Sequence, residues 1–415
     1  MTEGAIVVVG AGVVGLAVAF HLRLAGAAVT VVDRDPEGDK ASFGNAGGIA
    51  VTEVTPISIA GLAWRLPGWM LDPLGPLAVR PRHAPNLLPW LIRFARAGVP
   101  RETTRIATAL SALNARVYDD LLPMLHQIGL SGELHRVGAL TVYEKEEALH
   151  RDAADWDIKR SFGIEVETIT GDAARAMEPA LGPTIRQAVF MPQWSHIDDP
   201  KHLVDALRHW LRQHGVTVTA GSVSRLCASE SNGARLELED GSALNPDRIV
   251  IAAGAWSGLL ARRLGDPVLI ESERGYNTTI ADPGVTLRRE VIFAEKKFVA
   301  TPLSCGLRIG GAAEFGGLSA AADYRRSHAL TTLAARYLPG LKTAEGVAWA
   351  GHRPATPDSL PVIGRSSVHP GVFYAFGHGH LGLTQAATTG RLVADLIHDR
   401  PPLIDLSPYS IARFR

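Results

Sequence analysis

Apolar runs of strand-like and helix-like spacing alternate along the chain. Ala5-Ile-Val-Val-Val leads into Gly10-Ala-Gly12-Val-Val-Gly15, and a second run ends at Val29-Thr-Val-Val-Asp33. Both runs are short and rich in β-branched residues, as buried strands are. Between them, residues 16–26 supply good helix formers and end at Gly26, a natural C-cap, so a second strand starts at Ala27 or Ala28. Leu110, Leu113, Val117, Leu121 and Leu125 recur at three- and four-residue spacing and predict a helix over 101–130. A strand over 138–143, a helix over 144–162 and a short strand from Ala188 follow. Asp198-Asp199-Pro200 caps a helix over 201–214, and Val216-Thr-Val-Thr reads as the third strand of the sheet begun by the opening unit. A hairpin comes next, over 222–228 and 235–238 with a turn at Asp240-Gly241, and then a buried strand over 247–253 that enters Gly254-Ala-Trp256-Ser257. Residues 264–344 alternate strand-like pieces at 268–272, 276–280, 288–293, 298–302 and 307–312 before a helix over 319–337, the grammar of an antiparallel sheet. The last part returns to the first style, with a strand over 372–376, a loop over 377–382 and a helix over 383–398.

The pattern predicts an α/β fold class. A discontinuous Rossmann-like domain is expected from residues 1–55, 200–262 and 345–415, interrupted by a second, α+β domain from residues 56–199 and 263–344 on a mostly antiparallel sheet. In the first turn Gly10 lets the chain leave the strand sharply, Gly12 lets backbone approach a pyrophosphate, and Gly15 lets the helix pack close to the sheet. Asp33 then closes the second strand as an acceptor for ribose hydroxyls. Arg34 beside it raises the question of a 2′-phosphate, but the acid would repel one, so Arg34 is read as a surface or adenine-side residue. The Ser42-Phe-Gly44-Asn45-Ala46-Gly47-Gly48 stretch, with many amides and little bulk, admits a flat ligand.

Composition narrows the classes. With 415 residues, 46% of them apolar and 20% charged, the chain can bury a large core, and a formal charge of zero argues against nucleic acid as a partner. Cys227 and Cys305 stand far apart without a C-x-x-C, so neither a disulfide framework nor a thiolate metal site is indicated. The first strand begins too close to Met1 for a signal peptide, and the most hydrophobic run, over 87–97, contains Pro89, Arg93 and Arg96; a cytoplasmic protein without a transmembrane segment is expected. Trp64, Trp69, Trp90 and Phe94 read as a helical cover over the core, with contact to a membrane surface as the alternative.

Five ordered motifs together carry a likeness: Gly10-Ala-Gly12-Val13-Val14-Gly15 with Asp33; Ser42-x-x-Asn45-Ala46-Gly47; Ile251-Ala-Ala253-Gly254-Ala-Trp256-Ser257; Arg353-Pro-x-Thr356-Pro-Asp358-x-x-Pro361-x-Ile-Gly364; and Gly377-His378-Gly379-His380-Leu381-Gly382-Leu383-Thr384. They resemble the D-amino acid oxidase and dehydrogenase superfamily of flavoproteins, which includes glycine oxidase and sarcosine oxidase, over almost the whole chain. Arg274-Gly275-Tyr276 and Glu314 look closest to its D-amino acid and D-hydroxyproline dehydrogenase branch. The resemblance implies an extended FAD held by these segments and by Gly48, Val223 and Arg353, with residues 377–384 against the pyrimidine edge of the flavin. The helix that follows would offer its positive end to the reduced ring. Members with covalent flavin carry a cysteine just before the segment matching Thr356-Pro-Asp358; this chain has Gly351-His352-Arg353 there, so non-covalent FAD is implied. Arg308 stands where sarcosine oxidases hold an oxygen-activating lysine, which favours a dehydrogenase.

The implied activity is removal of hydride from the amine-bearing carbon of a small amino acid, a D-amino acid or D-hydroxyproline type first. Arg353 is expected to clamp the substrate carboxylate, with Tyr276 donating from a roofing sheet and His352 beside them. For His352, His378 and His380 a structural or flavin-holding place is preferred over proton handling, and they form no metal constellation. Glycine- or sarcosine-type oxidation of an N-substituted glycine is one alternative, and the FAD subunit of a multi-chain dehydrogenase is another. The electron acceptor, whether O2, a quinone or a protein carrier, stays open, as does an oligomeric state. An NAD-dependent oxidoreductase would leave the 377–384 loop without a task.

Overall fold

The computed structural model describes residues 5–58, 77–228 and 234–415. Strand Ile6–Val9, buried along its length, lies inside a six-stranded sheet. Val29–Asp33 and then Thr217–Ala220 lie to one side of it; Arg248–Ile251, Val372–Phe376 and Val362–Arg365 lie to the other. All neighbours run parallel except the last pair. Both faces are apolar because both are covered. Helices Val13–Leu24, Pro200–Gln213 and Gly382–Ile397 pack on one, and Ser257–Arg263 on the other. The strand expected from Val216 onward therefore does take the edge beside Val29–Asp33.

The second sheet has nine strands. In order from one edge they are Val347–Ala355, Glu271–Ile280, Gly306–Phe315, Phe298–Leu303, Glu290–Phe293, Ala139–Tyr143, Gln187–Met191 and Glu167–Thr170, with Leu77–Val79 also paired to Gly306–Phe315. Two pairings are parallel, Glu290–Phe293 with Ala139–Tyr143 and Leu77–Val79 with Gly306–Phe315; the rest are antiparallel. Helix Arg325–Ala334 packs on one face of this sheet through Leu330 and Ala334. A small sheet is formed by Gly48–Ile49, Ser195–Ile197 and Leu134–His135, with Ser195–Ile197 at its centre.

Several predicted elements divide or move. The helix over 101–130 is two, Pro100–Asn114 and Val117–Gln127, and Asn114 turns its side chain to the carbonyls of Val51 and Glu53. The helix over 144–162 breaks into Glu146–Arg151 and Ala153–Ser161, and that over 319–337 shortens to Arg325–Ala334. Strands 268–272 and 276–280 merge into Glu271–Ile280, because pairing on both sides carries the backbone through Glu273-Arg274-Gly275. Asp240-Gly241 joins Ala234–Leu238 to Ala243–Leu244, whereas the link between the first two strands of that hairpin lies outside the described residues. Strand Val347–Ala355 was not expected. Its small and polar residues show no apolar alternation, and it belongs to the nine-stranded sheet, so the chain re-enters the parallel sheet at Val362, later than the expected 345.

Trp90 stacks on Phe94 at 4.8 Å within helix Ala84–Ala97, and both are buried against Phe315 and Ala355. These two rings cover core; Trp64 and Trp69 lie outside the described residues. Among the described residues no helix is long and apolar enough to cross a membrane.

Candidate active site

Distant chain segments meet beyond the carboxyl ends of the parallel strands, the usual ligand crevice of such sheets. Gly10 has φ 115°, and a Cβ there would lie 2.4 Å from the carbonyl oxygen of Ala252. A Cβ on Gly15 would lie 2.0 Å from the oxygen of Gly10. Gly12 is different: among the described residues nothing comes nearer to a Cβ there than Ser42 Oγ at 3.7 Å, which leaves an open cradle at the N-terminus of helix Val13–Leu24. Ser42 Oγ accepts from the Val13 amide at 3.1 Å, and Asp33 Oδ2 accepts from the Ala11 amide at 2.7 Å. Val14 packs on the core below. Arg34 lies over the Trp256 ring at 3.9 Å, beside the Ala253-Gly254 turn. Val223 begins a strand two residues after Gly221, whose amide donates to the Asp33 carbonyl at 2.8 Å.

The second and last loops are sewn together. Asn45 Oδ1 accepts from the Gly47 amide at 2.8 Å across Ala46. Thr384 Oγ1 accepts from the Ala50 amide at 3.0 Å and donates to the Gly48 carbonyl at 3.4 Å. Gly377 and Gly379, with φ 83° and 53°, bend the last loop into helix Gly382–Ile397, and Leu381 and Leu383 anchor it in the core. His378 Nε2 meets Thr389 Oγ1 at 2.9 Å; burial lowers this imidazole to about 3, so it is neutral and structural.

The nine-stranded sheet roofs both loops with one face only. On Glu271–Ile280 and Val347–Ala355, cross-strand pairs put Glu273 with Arg353, Gly275 with Gly351 and Asn277 with Trp349 on that face. Asn277 Nδ2 donates to the Gly44 carbonyl at 2.7 Å, and Arg308 from the next strand donates to the carbonyls of Phe43 and Asn45 at 2.9 and 2.6 Å. Arg353 Nη1 donates to Glu273 Oε1 at 2.9 Å, and its side chain stays 28% exposed.

Two expected site residues fall on the opposite face. Tyr276 is buried in the core, and its hydroxyl accepts from the Asp323 amide at 3.0 Å. Its phenol therefore does not roof the site, since the parity of the strand turns it away. His352 pairs with Arg274 in register, bonds Ser272 Oγ through Nδ1 at 2.6 Å and meets the Trp256 ring edge-on at 5.2 Å. Burial, with Arg274 and Arg34 nearby, lowers it to about 4, so it is a neutral packing residue beside Arg34. Sequence reasoning missed Glu273, whose Oε1 holds both Arg353 and His380 Nε2, the latter at 2.7 Å. Among the described residues no group of three or more His, Cys, Asp or Glu is placed to hold a metal ion.

An open glycine cradle at a helix N-terminus, a strand-end acid and two amide-rich loops under a sheet fit an extended FAD. A family model described as FAD dependent oxidoreductase matches residues 5–396. The protein named D-amino-acid oxidase from Bradyrhizobium diazoefficiens is 33% identical over 426 residues, covering 100% of both chains. The one named D-amino acid dehydrogenase from Sinorhizobium medicae is 30% identical over 417 residues, covering 99% of each. Among solved structures, glycine oxidase from Geobacillus kaustophilus has a TM-score of 0.73 at 22% identity, over 100% of this chain and 99% of that one. L-proline dehydrogenase from P. horikoshii reaches 0.75 at 20% identity, over 99% and 98%. At such identities the structural likeness is one of fold, but the sequence match runs nearly end to end, and the chain belongs to the family of FAD-dependent oxidoreductases.

Proposed function

We propose that the protein oxidises a small amino acid at its amine-bearing carbon, with D-amino acids and D-hydroxyproline-type substrates first. The position of Arg353 carries this reading: a partly exposed guanidinium on the one sheet face that covers both cofactor loops. A planar guanidinium takes a carboxylate bidentately, which orients the neighbouring Cα–H. Bound FAD would supply the hydride acceptor, and the imine formed takes up water to give a 2-oxo acid and ammonia or amine. Residues 10–15, 33, 42–48 and 377–384 would hold the cofactor, and the N-terminus of helix Gly382–Ile397 would offer its positive dipole end to the reduced form. The D-amino acid names of the relatives support the same substrate class.

For the acceptor we propose a quinone or protein carrier in preference to O2, because the Arg308 donors are engaged by the Phe43 and Asn45 carbonyls. We place the protein in the cytoplasm with FAD held non-covalently, a setting in which a free, exposed thiol such as Cys305 is stable. Anaerobic bleaching of the FAD-loaded protein by D-amino acids, cis-hydroxy-D-proline, glycine and sarcosine tests the reading. D-substrates should bleach fastest, and no bleaching by any of the panel refutes it.

A further inference from the structure

Glu273 has no part in that reading, yet it is the most tightly engaged acid at the site. It is 5% exposed, and Arg353 Nη1 and His380 Nε2 converge on its single oxygen Oε1 at 2.9 and 2.7 Å. Burial alone would push its carboxyl up; His380 and Arg353 outweigh burial and hold it at about 2, ionised. Among the described residues no other charged partner faces it closely. Glu271 on the same strand face is taken by His83 at 2.9 Å, while Arg274, His352 and Glu314 occupy positions of the opposite parity. An imidazole that donates Nε2–H to a carboxylate holds Nδ1 as an acceptor. Among the described residues Nδ1 of His380 has no hydrogen-bond partner, and the side chain is 47% exposed, so that nitrogen is open to a ligand.

We propose that Glu273 is a positioning residue that presents Arg353 and His380 as one unit, the guanidinium to take the substrate carboxylate and His380 Nδ1 to take a proton from the adjacent ammonium. This rests on the amino acid reading above. An amino acid arrives chiefly as its ammonium form, and the nitrogen must lose a proton before hydride leaves the carbon beside it. In this step one N–H bond of the ammonium breaks, its electron pair stays on nitrogen, and a new N–H bond forms at Nδ1; no electrons are exchanged with any other group. A carboxylate docked on the other donors of Arg353 shares the guanidinium charge while Nη1 stays on Glu273, which leaves more of the Glu273 charge to stabilise a protonated imidazole. Carboxylate docking and proton removal are thereby coupled through one oxygen atom.

The test compares the FAD-loaded protein with H380A, E273Q and E273A. Anaerobic flavin reduction is followed from about pH 7 to about pH 10, where the free amine prevails, and benzoate binding is followed by calorimetry and by the flavin spectrum. H380A should reduce roughly 10²-fold more slowly at neutral pH, the deficit should close toward the alkaline end, and benzoate, which has no amine, should bind as before. E273A should weaken benzoate about tenfold or more and show the same pH-dependent deficit. E273Q, whose amide oxygen still accepts both donors, should keep benzoate binding but not the neutral-pH rate; if E273A does not fold, E273S, too short to reach Arg353, takes its place in the benzoate series. A deficit in H380A that is constant with pH overturns the proton step; unchanged benzoate affinity in E273A overturns the positioning role. If no substrate reduces the unmodified protein, the amino acid reading falls, and the benzoate series still decides whether Glu273 holds Arg353.

Discussion

Gly275 is the position where a single methyl group separates the site from the fold. A Cβ there would stand 2.3 Å from Arg353 Cζ, 2.4 Å from Nη2 and 2.8 Å from Nε. Comfortable contact between heavy atoms begins near about 3.5 Å, so Gly275→Ala obliges the guanidinium to retreat by about 1 Å. That retreat breaks the 2.9 Å bond to Glu273, which has no length to spare. The backbone at Gly275 is not left-handed, so alanine gains about 0.4–1 kcal/mol through the unfolded chain, which offsets part of the cost of leaving the buried Glu273 carboxylate with His380 alone. The obstacle is the far end of a flexible side chain, which can yield, and the damage is confined to the clamp. A displacement of about 1 Å costs roughly 10²-fold in kcat/KM, or about 2.7 kcal/mol. Most of it should appear in KM, since the carboxylate is bound in ground and transition states alike. Arg353→Ala sets the floor at about 2–5 kcal/mol if the ion pair with substrate is desolvated. Steady-state kinetics with a dye acceptor and thermal melting of the same samples make the comparison. A fall in melting midpoint with unchanged kinetics would refute the reasoning, and unchanged kcat/KM in both variants would remove Arg353 from substrate binding.

Gly10→Ala combines a φ of 115° with a methyl 2.4 Å from the Ala252 oxygen, so the protein should purify without bound flavin; stoichiometric yellow cofactor would contradict the cradle. Tyr276→Phe removes the acceptor of the Asp323 amide bond and should cost about 1 kcal/mol in urea unfolding with KM unchanged; a raised KM would put the phenol at the substrate after all. Glu290 is 3% exposed, and burial, opposed by a bond from Trp194 and aided by Glu53, pushes its carboxyl up to about 8. The folded chain then keeps a proton that the unfolded chain releases near 4.5, so stability falls as pH rises between these values. Glu290→Gln should therefore add nothing near pH 4.5 and about 3 kcal/mol at pH 7, and a pH-independent difference in unfolding free energy would contradict the buried neutral acid.

The parts of the molecule that could be read from its letters are those whose demands are local. Gly10, Gly12, Gly15 and Asp33 answer to one turn and one helix end, and the apolar runs of the parallel sheet are covered on both faces wherever they sit. The roof of the site obeys a different rule. Along Glu271–Ile280 the residues Glu, Ser, Glu, Arg, Gly, Tyr, Asn, Thr and Thr are nearly all buried, with polar groups on both faces, so no alternation marks the site side. One residue of parity decides whether Tyr276 or Gly275, and Arg274 or Glu273, faces the site, and nothing in the strand's own residues marks which. Val347–Ala355 is harder still, because Gly351 and Pro354 read as loop until a neighbouring strand supplies their register. The glycines themselves hold the missing signal. Gly275 and Gly351 are directly opposed, and a Cβ on either would strike Arg353 or the Trp349 ring, the latter at 2.0 Å. A glycine facing a glycine in the middle of paired strands therefore marks the face that must stay bare for long side chains to lie flat across it. Glu273 and Arg353, each two residues from one of these glycines, share that face by parity alone.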